Sequence, residues 1–204
     1  MSPIRMPSEP MSEAELDADA ADRMLLQRMS AGDRAALAVM YRGYHGRLVR
    51  FLSRLTRRTD VVEEAINDCF WIAWQKAATF QGDSRVSTWI MGIAYRCGLK
   101  ALRQHGSEPV DEDSVPEDRT PSHDPGDDRE MRDWLGKGLD RLSADQRVVI
   151  ELVYGIGHTL DDVATIMQCP VGTVKARLFH ARVKLRNVLP GLAGERTINR
   201  EIVP

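Results

Sequence analysis

Residues 159–186 read TLDDVATIMQCPVGTVKARLFHARVKLR, and two short helical patterns lie inside them, parted by a break. In the first, Leu160, Val163, Ala164 and Met167 recur at helical spacing and give one apolar face. Thr159 stands just ahead of that face, with Asp161 and Asp162 in the first turn. A hydroxyl cap and early carboxylates suit the unpaired amides that open a helix. Gln168, Cys169 and Pro170 then interrupt the pattern, because a residue before proline is pushed out of helical geometry. A second helix follows, with Pro170 near its start. Its inner stripe is Val174, Leu178, Ala181 and Leu185; its outer face carries Lys175, Arg177, Arg182, Lys184 and Arg186 and no carboxylate. Two helices, a tight break and a cationic second helix describe a helix-turn-helix. The same spacing also fits an ordinary helical hairpin with a solvated basic face.

Charge is segregated along the chain. The net charge of −2 over 204 residues hides −5 in residues 1–22, +8 in 23–103, −8 in 104–134 and +3 in 135–204. Two basic blocks on either side of an acidic connector suggest two polyanion-binding modules on one tether. No apolar run approaches the roughly 20 residues of a membrane span. The acidic start, without an apolar core, does not read as a signal peptide, so the expected location is cytoplasmic. Cys69, Cys97 and Cys169 lack metal-ligand spacing and read as buried thiols, so no metal or cofactor is expected. No nucleophile-base pair or phosphate-binding loop stands out, which argues against an enzyme.

The pattern predicts an all-α chain of two small helical domains joined by a flexible acidic linker. Residues 1–21 are expected to be a disordered acidic extension. Residues 22–103 hold helical stripes that include Met24, Leu25 and Met29, then Ala36, Met40 and Tyr44, then Leu48, Phe51 and Leu55. Arg47, Arg50, Arg54, Arg57 and Arg58 surround the last of these; they could line a phosphate track or simply solvate a helix. Val62, Ala65, Ile66, Cys69, Phe70 and Ala73 form a broad stripe, with Glu64, Asn67 and Asp68 outside it. A polar loop from Phe80 to Val86 leads into a further helix marked by Trp89, Ile90 and Ile93. Residues 104–130 are rich in proline, glycine and carboxylates and read as the linker. Residues 131–190 form the second domain and 191–204 a tail.

These segments, in this order, resemble the sigma factors of bacterial RNA polymerase, in the extracytoplasmic-function group. Ala31-Gly32-Asp33 with Ala36 and Tyr41 is similar to the family's opening helices. Glu64-Ala65-Ile66-Asn67-Asp68-Cys69-Phe70 with Ala73-Trp74 resembles its core-binding helix. Phe80-Gln81-Gly82-Asp83-Ser84 with Thr88-Trp89 resembles its promoter-melting loop and helix. Pro170-Val171-Gly172-Thr173-Val174-Lys175-Ala176-Arg177-Leu178 is similar to its recognition-helix motif.

The resemblance implies that Glu64, Asn67 and Asp68 dock on the clamp coiled coil of core RNA polymerase. Asn67 and Asp68 are each one methylene shorter than the family's usual residues. It implies that Phe80, Gln81, Gly82, Asp83, Ser84, Arg85, Val86, Arg96 and Lys100 meet the −10 element, double-stranded and then single-stranded, and trap unpaired bases. Val86 and Arg96 depart from a frequent phenylalanine and asparagine. The indole of Trp89 could stack a base, but its position on the apolar stripe favours the core. For the −35 element, Lys175, Ala176, Phe179 and His180 should face the groove, with Thr173 and Arg177 near the backbone. An anti-sigma factor is the further implied partner. The rival reading is a stand-alone helix-turn-helix regulator that binds its operator unaided.

Overall fold

The computed structural model describes residues 12–105 and 127–200 and, within them, the side chains of 12–105 and 134–190. The described residues are helical and contain no strand. In chain order the helices are α1 (Glu13–Ser30), α2 (Arg34–Leu52), α3 (Thr59–Lys76), α4 (Val86–His105), α5 (Asp127–Asp140), α6 (Ala144–Ile150), α7 (Leu160–Met167) and α8 (Val171–Arg200). A 3-10 turn, Ala77–Thr79, closes α3, and a π-helical turn, Glu151–Ile156, extends α6.

Local chemistry sets the ends. Asp33 caps α2 by accepting from the amides of Ala35 (2.8 Å) and Ala36 (3.3 Å). Ser143 and Gln146 form a capping box on α6, as Thr159 and Asp162 do on α7. The π-turn ends at Gly157, whose φ of 89° only glycine adopts without strain.

Helix α1 begins at Glu13, whereas the sequence pattern placed ordered structure from residue 22. The start is fixed by a capping box in which Ser12 and Glu15 satisfy each other's backbone amides. Alanine fills the first turns, so helix propensity is high although large apolar side chains are missing. Residues 1–11 lie outside the described part, as do 106–126, most of the expected linker. At its other end, α4 runs to His105 and α5 starts at Asp127, so the ordered elements reach into both ends of the expected linker.

Helices α1–α4 pack around Met29, Met40, Leu48, Phe51, Ile66, Ile90 and Met91, all almost inaccessible. Each such side chain contributes about 1.5–3 kcal/mol on burial. Helices α6–α8 bury Val148, Val149, Leu152, Val163, Ile166, Val174 and Ala181. The two groups form one continuous core, with α7 laid on α4 and Ile166 beside Gly92. Ion pairs stitch the seam: Arg54 Nε to Glu151 Oε2 (2.9 Å), Arg57 to Asp140 (2.6 Å), and Arg85 to Asp162. The Thr88 hydroxyl also donates to Asp162 Oδ1 (2.8 Å). Several arginines that could have lined a phosphate track are thus spent on protein carboxylates; Arg58 likewise pairs with Asp60 (2.6 Å).

Candidate nucleic-acid interface

The break between α7 and α8 is built from Gln168, in the left-handed region at φ 52°, and Pro170. The Pro170 carbonyl accepts from the amides of Thr173 (2.8 Å) and Val174 (3.3 Å), which starts α8. Val174, Leu178 and Ala181 turn inward and are buried. That orientation leaves Lys175, Ala176, Phe179 and His180 exposed on one face. Phe179 is 62% exposed and meets the His180 ring edge-on at 5.5 Å. A solvated phenyl ring on this face offers apolar surface of the kind that packs on a thymine methyl or a sugar.

Thr173 and Arg177 are half-buried. Arg177 pairs with Asp145 at 2.5 Å, and its Nη1 lies 3.7 Å from Cys169 Sγ. It therefore ties α8 to the first turn of α6. Arg182 serves similarly, hydrogen-bonded to the Tyr154 hydroxyl with its guanidinium carbon 5.4 Å from the Tyr154 ring.

Replacing Lys175 by alanine should weaken binding to the preferred duplex by roughly 1–3 kcal/mol if the ammonium reads a base edge. The loss on a scrambled duplex should then be smaller. Equal losses, measured by transcription from paired templates, would assign Lys175 to phosphate.

On α4 the structure separates residues that the sequence grouped. Gln81 and Asp83 are exposed in the loop; Phe80, Gly82, Ser84 and Arg85 are half-buried. Phe80 tilts against Trp89 at 5.4 Å, and Trp89 packs on the core as its helical position implied. Arg96 and Lys100 are exposed, Lys100 beside Asp68 at 3.1 Å. Val86 corrects the sequence expectation: its side chain is 0% exposed, because as the first residue of α4 it falls on the inner stripe with Ile90 and Ile93. It cannot present a side chain to DNA. Arg85 is held between Glu15 (3.8 Å) and Asp162.

Outside α3, Glu64 and Asn67 are exposed and Asp68 half-buried, sharing one stripe. Glu64 meets His105 Nε2 at 2.6 Å. Trp71 lies one turn further along the stripe and is 62% exposed. Sequence reasoning did not single it out, although its place three residues after Asp68 was the available signal.

Beneath the seam, His158 is only 5% exposed, and its Nδ1 lies 3.3 Å from Arg85 Nη2. With Arg85 donating to Nδ1, the proton sits on Nε2, which has no partner. Burial pushes its pKa down to about 4, against the pull of Asp162. Burial alone would raise the Asp162 carboxyl, but donation from Thr159 and Thr88 and the charge of Arg85 hold it below the usual range.

Both shifts have the same sign for stability. The unfolded chain binds more protons than the folded one as pH drops from about 6.5 toward 4, so stability falls through that window. Burial raises the Asp22 carboxyl, which opposes the trend. His158 alone is worth about 3 kcal/mol of acid destabilisation. Thermal unfolding from pH 7 to 4 should show it, and His158→Phe should flatten that limb.

The chain thus presents a helix-turn-helix with an exposed face on its second helix, joined to a second helical unit with a polar loop and exposed cations. Comparison with known families makes this specific. Residues 40–108 match "Sigma-70 region 2" and residues 132–185 match "Sigma-70, region 4", together more than half of the chain. The chain is 29% identical over 186 residues to the ECF RNA polymerase sigma-E factor of Haemophilus influenzae, covering 84% of this chain and 96% of that one. It is 27% identical to the RNA polymerase sigma-H factor of Pseudomonas aeruginosa, covering 85% and 96%. Among solved structures, the sigma factor RpoE of Bartonella quintana, in complex with the anti-sigma factor NepR, superposes with a TM-score of 0.56 at 29% identity, over 77% of this chain and 96% of that one. CnrH, in complex with the cytosolic domain of CnrY, shares the fold with a TM-score of 0.61 at 22% identity, over 84% and 98%. The chain belongs to the sigma-70 family, in its extracytoplasmic-function group, and is a sigma factor of transcription initiation. Among the described residues no helix is long and apolar enough to cross a membrane, and no cluster of His, Cys, Asp and Glu could hold a metal ion.

Proposed function

We propose that this sigma factor docks on the clamp coiled coil of core RNA polymerase through Glu64, Asn67 and Asp68 of α3. In that holoenzyme α8 reads the −35 element, and the Phe80–Arg85 loop with Arg96 and Lys100 receives the −10 element as it melts. The observation that carries the reading is the split on α8: Val174, Leu178 and Ala181 are buried while Lys175, Ala176, Phe179 and His180 stand free. The protein acts by binding rather than by catalysis, in the cytoplasm where polymerase works. Val86 is excluded from the strand-facing set. Arg85 and Arg177 reach nucleic acid only after leaving Asp162 and Asp145. An anti-sigma factor is the natural regulator, in keeping with the NepR complex of the Bartonella relative.

The test is run-off transcription with purified core polymerase. Defined start sites that depend on the added protein support the reading. Tight operator binding by the protein alone, with no effect on initiation, would establish the stand-alone regulator instead.

A further inference from the structure

We infer that Asp19 and Arg23 of α1 are positioning residues for the Phe80–Arg85 loop and hold it in the shape that receives the unpaired strand. The inference rests on the proposed −10 role of that loop. The contacts converge from a helix whose first half the sequence pattern had left without structure.

Asp19 Oδ1 accepts from the Val86 amide at 2.8 Å and so caps α4 from another helix. Ser84, the nearest local candidate for that role, turns its hydroxyl to the Arg85 carbonyl instead (3.2 Å). Asp19 Oδ2 accepts from Arg23 Nε at 2.6 Å. Arg23 Nη2 then donates to the Ser84 carbonyl at 3.2 Å. The same guanidinium lies 5.4 Å from the centre of the Phe80 ring. Its Nη1 would stand 2.8 Å from a Cβ on Gly82, whose φ is +84°. One side chain thus touches the loop at its start, middle and end.

A loop whose exposed residues, Gln81 and Asp83, project into water needs such a brace to hold one conformation. Bracing it before DNA arrives removes an ordering cost that strand capture would otherwise carry. The brace also leaves the docking stripe of α3 and the recognition face of α8 untouched.

The experiment uses full-length protein reconstituted with core polymerase and a fluorescent single-stranded −10 oligonucleotide, with base-substituted oligonucleotides as controls. Arg23→Ala should weaken strand binding about tenfold and blunt the discrimination between oligonucleotides. Affinity for core and preference for the −35 duplex should stay within about twofold. Arg23→Lys keeps the charge but not the fork, and Asp19→Asn keeps an acceptor for Val86 but loses the pair; both should fall between. Undiminished strand binding in Arg23→Ala and Asp19→Asn overturns the inference. So does a parallel loss of core affinity or of the folded state in both, which would make the pair a general brace of the domain. Gln81→Ala with Asp83→Ala separates this from the underlying reading. If that variant keeps full −10 discrimination the loop is not the reader, whereas if it loses discrimination and Arg23→Ala does not, only the brace fails.

Discussion

Reversing Glu64 and Asp68 to lysine should remove most of the affinity for core polymerase, on the proposed docking, while the helices stay folded. In the free protein Glu64 pairs with His105 (2.6 Å) and Asp68 with Lys100 (3.1 Å), and all four side chains are at least one-third exposed. Exposed pairs of this kind contribute about 0–1 kcal/mol each, so the fold loses little. At a closed interface the same carboxylates would be desolvated, where loss of a partnered charge costs about 2–5 kcal/mol. Even the lower figure is about thirtyfold in affinity. Trp71, next on the stripe, has the character of an interface anchor, since exposed tryptophan is unusual and interface hot spots favour it. Competition with labelled unaltered protein for a limited amount of core measures the effect, and a thermal melt checks the fold. Unchanged competition would remove α3 from the docking surface.

Replacing Arg54 by glutamate drives the two helical units apart. Glu151 is only 7% exposed and takes its hydrogen bond from Arg54 Nε. Stranding such a carboxylate costs up to about 3–5 kcal/mol, less here because Arg54 itself is partly solvated. A facing carboxylate adds repulsion, and the chain escapes both by letting water into the seam. Small-angle scattering should show a radius of gyration rising from the roughly 17 Å expected of a compact chain this long. Helicity by circular dichroism should barely change. A variant that stays compact would show that the shared apolar contacts of α4 and α7 hold the seam without the ion pair.

Much of this architecture was legible because it is locally encoded. Thr159, the Gln168–Pro170 break and the carboxylate-free face of α8 lie within 28 consecutive residues, and each acts on its immediate neighbours. The stripes of α2, α3 and α4 were visible for the same reason. The start of α1 was hidden because its first turns are held by alanine propensity and a capping box rather than by large apolar side chains. The seam was hidden because its partners are 97 residues apart for Arg54 and Glu151 and 77 for Arg85 and Asp162. A sequence pattern cannot say whether an arginine faces phosphate or a distant carboxylate. Val86 sits at a boundary that the loop pattern does not resolve, because the first helical residue already falls on the inner stripe.

The fused core also bears on how the protein meets a genome. Elements named for positions 25 base pairs apart lie about 85 Å distant along B-form DNA, at about 3.4 Å per step. Helices in contact cannot span that length, so engaging both elements as proposed would require the halves to come undone. If both elements are read as proposed, a site offering a single matching element would return less toward that rupture than a site offering both. On that reading, the closed seam would favour DNA that engages both halves at once over solitary matches.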